Sequence, residues 1–464
     1  MSKIALLLVL LVVLRSVEVE VYAASVVKNL PGFRGGPLPF HLETGYIGVG
    51  DSENVQLFYY FVESERNPRE DPLLIWLTGG PGCSSWSGLA YEIGPISYKI
   101  EPYNGSLPTL VLNPYSWSKI SNIIFVDSPV IAGFSYSKTS LPYQIGDFIQ
   151  VDHLLEFFKK WLVNHPEFKS NSLYVAGDSY SGKIVPLLTQ QISNGIVEGT
   201  LPPIDLKGYI LGNPATDPSS DNYKIPFARG MSLISYELYK SLEKSCGGEY
   251  RDIDPSNSKC LKAFQTYEEC TSGIYTKQIL EPNCNYSFPK PHKNNNKIRS
   301  ERRRWLHSDT PIPEFGCREY EYLLASYWAN DNSVREALHI HKASIGEWIR
   351  CNASIKNHYT YDVHSAVKYH QNLSIRGYRS LIYSGDHDML IPSMSTEAWI
   401  RSLNYSIVQD WRPWIVEGEV SGYTMSYSNK MTYATVKGAG HTAPQYKPKE
   451  CFSMFERWIN YETL

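Results

Sequence analysis

The feature that most constrains this chain is a serine at a sharp turn between a strand-like run and a helix-like run. The apolar run from Leu173 to Ala176 predicts a buried strand, and Gly177-Asp178-Ser179-Tyr180-Ser181-Gly182 follows it. Such a turn lifts a serine hydroxyl into the open, where it can act as a nucleophile. The usual pattern has glycine where Ser181 stands, but small residues still flank the turn. The turn therefore predicts Ser179 as a candidate nucleophile.

A nucleophilic serine needs a base, and the base needs a group that orients it. The strand-like run 380–384 leads into Gly385-Asp386-His387-Asp388, and the run 432–436 leads into Gly438-Ala439-Gly440-His441. Taken singly, a capping serine, a turn aspartate and a loop histidine are the plainer interpretations. Three such residues at strand ends, in the order Ser, Asp, His, match the order of α/β-hydrolases. We therefore predict Ser179, Asp386 and His441 as a catalytic triad.

A glycine-rich segment completes the predicted site. The apolar run 73–77 is followed by Thr78-Gly79-Gly80-Pro81-Gly82-Cys83-Ser84-Ser85. Glycines allow backbone N–H groups to approach a substrate oxygen, and acyl transfer places negative charge on that oxygen. We predict that the N–H groups of Gly80 and Tyr180 form the oxyanion hole.

Several segments together resemble the serine carboxypeptidase family, in the family's order and over nearly the whole chain. This resemblance implies an α/β-hydrolase fold with a central mixed, mainly parallel sheet and an inserted helical lid, and it supports the triad. The matching segments are 76–85, Asn113-Pro114-Tyr115-Ser116-Trp117, 125–129, 133–137, the Ser179 turn, Leu211-Gly212-Asn213-Pro214, Ser384-Gly385-Asp386 and Gly440-His441.

The chain departs from the family's peptidases in the residues that bind a peptide's terminal carboxylate. Those enzymes use an Asn before the paired glycines, a Glu before the nucleophile and a second Glu downstream. Glu92 matches the second Glu. Thr78 stands before Gly79 in place of the Asn, and Asp178 stands before the nucleophile in place of the first Glu. Thr offers one hydroxyl where Asn offers an amide, and Asp is shorter than Glu. We expect these four residues to contact substrate, with a weakened carboxylate clamp.

The same changes resemble the plant serine carboxypeptidase-like acyltransferases, as do Leu30-Pro31-Gly32-Phe33 and the segment 37–46. Those enzymes move an acyl group, typically aromatic, from a 1-O-β-glucose ester to an alcohol. The resemblance implies a small-molecule acyl glucose donor, an alcohol or hydroxy-acid acceptor and an acyl-enzyme on Ser179. A serine carboxypeptidase is the alternative, favoured by the triad and Glu92. A non-catalytic secreted binding protein is disfavoured because every triad residue type is present.

Glu92 and Asp178 predict a second property of the site. Two carboxyl groups brought close together share a proton, which raises one pKa. Such a pair favours work in an acidic compartment such as the vacuole. Separate hydrogen bonds for each carboxylate are the alternative.

Eight cysteines predict disulfides in a secreted chain. The family resemblance implies the pairs Cys83–Cys351, Cys246–Cys260 and Cys284–Cys317, with Cys270 and Cys451 unpaired. The first pair would hold Arg350 near the oxyanion segment, where a guanidinium can bind an acidic acceptor such as an α-hydroxy acid. A surface ion pair is the plainer interpretation of Arg350.

The pattern of apolar runs predicts a mixed sheet with an insertion. The predicted regions are a signal peptide over 1–24, a first core part over 25–222, a lid over 223–330 and a second core part over 331–464. Strands are predicted at 45–50, 55–62, 73–77, 122–126, 173–176, 206–211, 380–384 and 432–436, and helices at 146–162 and 182–192.

The predicted lid contains a basic, polar run from Lys290 to Arg304. Such a run is typical of an exposed loop. Some relatives are cut in this region, so the run predicts either cleavage into two disulfide-linked chains or an uncut solvated loop.

The net charge and the N-terminal segment indicate which partners are excluded and in which compartment the protein works. A net charge of −3 offers no basic surface for nucleic acid. The apolar run from Ile4 to Leu14 is too short to span a membrane and predicts a secretory signal, and therefore a vacuolar or extracellular protein with no membrane span. No cofactor or metal is expected, because no C-x-x-C or H-x-x-x-H spacing occurs. Glycosylation is predicted at Asn104, Asn285, Asn352, Asn372 and Asn404.

Overall fold

The computed structural model describes residues 24–139, 145–284 and 316–464. The predicted signal peptide up to residue 23, the sequon at Asn285 and the basic run 290–304 lie outside these residues. The strands are β1 (Ser25–Val26), β2 (Leu42–Val49), β3 (Val55–Val62), β4 (Leu73–Leu77), β5 (Ile96–Tyr98), β6 (Leu110–Leu112), β7 (Asn122–Val126), β8 (Tyr136–Ser137), β9 (Ile145–Gly146), β10 (Leu173–Asp178), β11 (Leu206–Gly212), β12 (Tyr359–Thr360), β13 (Arg379–Gly385), β14 (Ile407–Val416), β15 (Glu419–Tyr427) and β16 (Met431–Val436).

One large sheet forms the centre of the molecule, in the order β1-β2-β3-β7-β4-β10-β11-β13-β16-β15-β14, with β8 paired to β3. The six strands from β7 to β16 in this order are mutually parallel, whereas the strands at both edges pair antiparallel. Strands β4, β7 and β10 are buried along their whole length, which suits short apolar runs covered on both faces. The predicted α/β-hydrolase fold with a mixed, mainly parallel sheet is confirmed.

Helices cover both faces of this sheet, and two apolar cores fill the space between the helices and the sheet. The α-helices span Asp147–Asn164, Ser181–Val197, Lys224–Gly230, Tyr236–Cys246, Ser258–Thr271, Arg318–Ala329, Asn332–Ala337, Val367–Ile375, Ser393–Ser402, Ala443–Tyr446 and Pro448–Ile459. A π-helix spans Gly88–Glu92, and 3-10 helices span Asp51–Glu53, Trp117–Lys119, Pro166–Phe168, Pro218–Tyr223 and Ala353–Asn357.

The predicted strands and both predicted helices are present, and most extend one to several residues beyond the predicted bounds. The antiparallel hairpin β14–β15 is absent from the sequence predictions. Most of β14 is exposed, and its Trp414 and Val416 are its only buried residues. A strand with so few buried positions lacks the apolar run on which the other predictions depend.

The segment between β11 and residue 284 packs around a small core of its own, which includes Phe227, Leu242 and Tyr267. By contrast, the helix Arg318–Ala329 packs into the large core, where the Trp328 ring stacks on Trp86 with centroids 4.3 Å apart. The limits of the lid at 223 and 330 stay a prediction.

All three predicted disulfides are confirmed. They join Cys83 to Cys351, Cys246 to Cys260 and Cys284 to Cys317. Cys270 is free and exposed, and Cys451 is free and buried. Within the described ranges, no helix is long and apolar enough to cross a membrane.

Among the described sequons, Asn104, Asn372 and Asn404 are exposed. Asn352 is partly buried, and its amide nitrogen donates to the Ile131 carbonyl at 3.4 Å. Glycosylation at all of these asparagines stays a prediction.

Candidate active site

The Ser179 turn joins β10 to the helix Ser181–Val197. Ser179 has a φ of 53°, a left-handed conformation that non-glycine residues seldom adopt. Its backbone N–H donates to the Gly212 carbonyl at 2.9 Å, so the neighbouring strand fixes the turn. Ser181 fits where glycine is usual because its hydroxyl donates to the Leu77 carbonyl at 2.9 Å. The turn is therefore held rigidly with Ser179 at its apex.

The structure brings Ser179 and His441 together, as predicted. His441 Nε2 lies 2.8 Å from Ser179 Oγ, and His441 Nδ1 lies 2.7 Å from Asp388 Oδ2. The Asp388 carboxylate is fully buried. Ser179, His441 and Asp388 thus form the hydrogen-bonded chain of a nucleophile, a base and an orienting carboxylate.

The prediction that Asp386 orients His441 is wrong. Asp386 Oδ1 instead accepts hydrogen bonds from His387 Nδ1 at 2.5 Å and from the Gly438 N–H at 2.7 Å. The loop after β13 turns between the two aspartates, so the second one enters the interior. Asp386 therefore ties the two loops together at their rim.

Asn213 is a residue of this site to which the sequence predictions gave no role. Its Nδ2 donates to Asp388 Oδ2 at 2.8 Å, and its Oδ1 accepts from the Gly385 N–H at 3.2 Å. The other oxygen of Asp388 accepts from the Leu390 and Ile391 N–H groups at 2.8 and 3.2 Å. The Leu211-Gly212-Asn213-Pro214 segment carried the signal, since it places an amide at the end of β11. Asn213 and these N–H groups fix the Asp388 carboxylate.

The predicted oxyanion segment lies against the nucleophile. A Cβ on Gly79 would stand 2.6 Å from Ser179 Cβ and 2.8 Å from the Tyr180 nitrogen, so only glycine permits this approach. Gly80, at a φ of 131°, follows it. Within the described ranges, neither the Gly80 nor the Tyr180 N–H donates a hydrogen bond to protein. An oxyanion hole at these two groups stays a prediction.

The three clamp positions lie side by side but make different contacts. Thr78 Oγ1 accepts from the Trp76 indole N–H at 3.2 Å, and Asp178 Oδ1 accepts from the Gly79 N–H at 3.0 Å. Glu92 is buried, and its Oε2 has no described partner. Burial raises the pKa of the Glu92 carboxyl well above its usual range, and the charge of Asp178 raises it further. Burial also raises the pKa of Asp178.

Arg350 lies beside these carboxyl groups, as the Cys83–Cys351 bridge predicts. The Ser84 N–H donates to the Arg350 carbonyl at 2.7 Å, which joins the two segments. The guanidinium carbon of Arg350 lies 3.8 Å from the centre of the Tyr322 ring. The charge of Arg350 lowers the pKa of both Glu92 and Asp178, against the larger effect of their burial. Arg350 therefore lies beside the buried carboxyl groups, and its guanidinium forms no ion pair with the residues that the structure describes. Its contact with substrate stays a prediction.

A short stretch of the insertion, residues 276–279, joins the loops that carry Asp388 and His441; we call it the strap. The His441 N–H donates to the Lys277 carbonyl at 2.7 Å, and the Met389 N–H donates to the Thr276 carbonyl at 2.8 Å. Gln278 Nε2 donates to the Gly438 carbonyl at 3.0 Å. No sequence motif marks this stretch, and the predictions did not include it.

The fold and the Ser-His-Asp chain define an α/β-hydrolase-type enzyme site. The serine carboxypeptidase family matches residues 31–461. Serine carboxypeptidase-like 7 of Arabidopsis thaliana is 52% identical, with 100% of this chain and 99% of the relative covered. Serine carboxypeptidase-like 11 of the same plant is 54% identical, with 96% of each covered. This chain belongs to the serine carboxypeptidase family.

A solved structure shows the same fold. It is that of the prohormone-processing carboxypeptidase Kex1 of Saccharomyces cerevisiae, with a TM-score of 0.74 over 95% of this chain and 96% of that one. The two sequences are 20% identical, so the likeness concerns the fold alone.

Proposed function

We propose that this protein is an acyltransferase that moves an acyl group from a 1-O-β-glucose ester to an alcohol. We expect the acyl group to be aromatic. Ser179 Oγ attacks the ester carbonyl while His441 takes its proton, and His441 then protonates the departing glucose. His441 next takes the proton of the acceptor hydroxyl, whose oxygen attacks the acyl carbon and releases Ser179. Asp388 holds the imidazole and stabilises its charged form.

The arrangement of Thr78 and Asp178 carries the choice of transferase over peptidase. Both side chains are engaged by neighbouring protein groups, the Trp76 indole and the Gly79 N–H. Neither supplies the amide donor that the family's peptidases place against a terminal carboxylate. This favours a substrate whose reacting end carries no carboxylate, such as a glucose ester.

A serine carboxypeptidase is the second candidate, and Glu92 favours it. With its raised pKa, this buried carboxyl stays protonated in mild acid and can donate a hydrogen bond to a carboxylate. The same property suits a vacuolar or other acidic setting for either activity.

Mass spectrometry of the purified protein tests the proposal. We would incubate it at acidic pH with a panel of 1-O-acyl-β-glucose esters, with and without alcohols, beside Ser179→Ala. An acyl adduct on Ser179 that is passed to an alcohol is the expected result. The absence of an adduct with every ester, together with release of C-terminal residues from peptides, would overturn it.

A further inference from the structure

The strap carries a lysine that no motif assigns to the site. The Lys277 carbonyl accepts from the His441 N–H at 2.7 Å, and a Cβ on Gly440 would stand 2.2 Å from that carbonyl oxygen. The backbone of Lys277 is thus fixed against the loop that carries the base. A lysine side chain attached there has the length to reach into the site around Ser179.

The surroundings of the Lys277 ammonium group place it inside the cluster of active-site charges. The groups that act on it are Arg350, Glu319, Asp388 and Asp178, from four separate elements. The Lys277 ammonium group has no hydrogen bond or ion pair with any residue in the described part of the chain. Burial, followed by the charge of Arg350, lowers its pKa to about 8, so it stays charged in mild acid.

Arg350 is the second cation of this cluster, and it too has unused donors. Its Nε is buried without a partner in the described ranges, and its Nη1 reaches Ser87 Oγ only at 3.5 Å. The Tyr322 ring, 3.8 Å away, fixes the plane of the guanidinium. A buried donor without an acceptor destabilises the fold, so the unused donors of Arg350 favour a ligand that supplies the acceptor.

Two further polar atoms near these cations lack described partners. They are the Tyr275 hydroxyl, next to the strap, and Glu319 Oε2. Both groups are within electrostatic reach of each other, and Arg350 acts on Tyr275. The unpaired donors of Tyr275 and Arg350 indicate a site for a small polar ligand with anionic oxygens, whereas the Glu319 oxygen accepts only from a donor group of such a ligand.

We propose that Lys277 is a specificity-determining residue, which acts with Arg350 to bind a carboxylate on the acyl acceptor and so favours hydroxy acids over neutral alcohols. This inference rests on the proposed transferase function. The acceptor hydroxyl oxygen forms the new ester bond to the acyl carbon as the bond to Ser179 Oγ breaks. His441 takes the hydroxyl proton and returns it to Ser179 Oγ, so the two cations only bind and orient the acceptor.

Acceptor competition tests the proposal with matched pairs that differ only in charge. Lactate and 3-phenyllactate would each be offered beside the corresponding amide at pH 5.5, and ester product would be compared with hydrolysis. We expect wild-type protein and Lys277→Arg to favour the acids by about tenfold or more. Lys277→Met should lose most of this preference, whereas Lys262→Met, on an exposed face of the insertion, should keep it. Equal preference in wild-type and Lys277→Met proteins would overturn the proposal.

The acyl group would be loaded in parallel from a p-nitrophenyl cinnamate ester and from the glucose ester. A Lys277-dependent preference with the activated ester, but no loading from any glucose ester, would support the role of Lys277 and refute the proposed donor. Loading from both esters with no preference for acids would support the proposed donor and refute the role of Lys277.

A pH series with wild-type protein covers the case in which Lys277→Met does not fold. The preference for acids should decline as the pH rises through about 8, where Lys277 loses its charge, and should persist in Lys277→Arg. The charged groups that face Lys277 are Arg350, Glu319, Asp388 and Asp178, and each of them belongs to a different element. A preference that does not change across pH 8 would count against Lys277.

Discussion

At the residue scale, the identity of the orienting carboxylate is the sharpest result. Asp388 is buried and bonded to His441, whereas Asp386 bonds to His387 and Gly438 at the rim. The two aspartates are two positions apart, so their substitution gives a matched comparison.

We expect Asp388→Asn to slow acyl-Ser179 formation by about 10⁴-fold, because an amide cannot stabilise the charged, correctly oriented imidazole. Asp386→Asn should slow this step far less, because Asp386 bonds to the rim of the two loops and not to the catalytic imidazole. The measurement is single-turnover acylation by an activated ester. A larger loss in Asp386→Asn than in Asp388→Asn would contradict the assignment.

The double substitution Thr78→Asn and Asp178→Glu tests the basis of the choice between transferase and peptidase. It restores the residues with which the family's peptidases bind a terminal carboxylate. We expect release of C-terminal residues from peptides to appear and acyl transfer to fall by about tenfold or more, because each misplaced polar group near substrate costs about 1–3 kcal/mol. Unchanged transfer with no peptide cleavage would show that these positions do not decide the activity.

The sequence predicted Ser179 and His441 because each follows an apolar strand, and strand ends of a parallel sheet meet at one edge. It could not choose between two aspartates in Gly-Asp-His-Asp, since the path of that loop depends on contacts with residues 276–279. Lys277 was missed for the same reason. Its position is fixed by hydrogen bonds to distant segments and not by a local pattern.

At the element scale, the strap makes the insertion part of the catalytic framework. Thr276 and Lys277 bond to the Asp388 and His441 loops through their carbonyls, and the Gln278 side chain bonds to Gly438. The two loops are therefore held at a fixed spacing by a third element.

Gln278→Leu should lower kcat by about tenfold while KM changes little, because it leaves the Gly438 carbonyl without its donor and loosens the His441 loop. Gln265→Leu, on an exposed face of the insertion, is the control. Steady-state kinetics with an activated ester measure both, and thermal unfolding shows whether the fold is kept. A change in KM alone would assign Gln278 to substrate binding.

The edges of the sheet mark the limit of prediction at this scale. The parallel strands are short apolar runs buried on both faces, and these were predicted close to their observed bounds. The edge strand β14 faces solvent over most of its length, and its partner β15 is only partly buried. Its place in the sheet depends on pairing with β16, which no local pattern reveals.

At the scale of the whole molecule, a buried carboxyl group makes the stability of the fold depend on pH. The Asp127 carboxylate is fully buried and accepts hydrogen bonds from Ser84, Ser85 and the Phe134 N–H. Burial is the largest cause that raises its pKa, to about 7. A raised carboxyl pKa means that the folded state holds its proton more tightly than the unfolded chain.

The contribution of Asp127 to stability is therefore complete below about pH 4 and is lost as the pH rises to about 7. A shift of this size corresponds to about 4 kcal/mol. We expect the Tm to fall over this range and the slope to become shallower in Asp127→Asn, which is also less stable throughout because its NH₂ faces a donor. Asp152→Asn, on the surface, should keep the wild-type slope. A wild-type Tm that rises from pH 4 to pH 7 would contradict this account.

The stacked Trp86 and Trp328 rings have a consequence for synthesis of the chain. Trp86 precedes the nucleophile turn, but the ring that covers it belongs to the helix Arg318–Ala329, which lies far later in the chain. The Cys83–Cys351 bridge spans a similar interval of 268 residues. A ribosome that has already completed strands β4, β7, β10 and β11 thus still holds a nascent chain in which Trp86 lacks this covering ring, and exposed apolar surface of this kind makes a partly synthesised chain prone to aggregation.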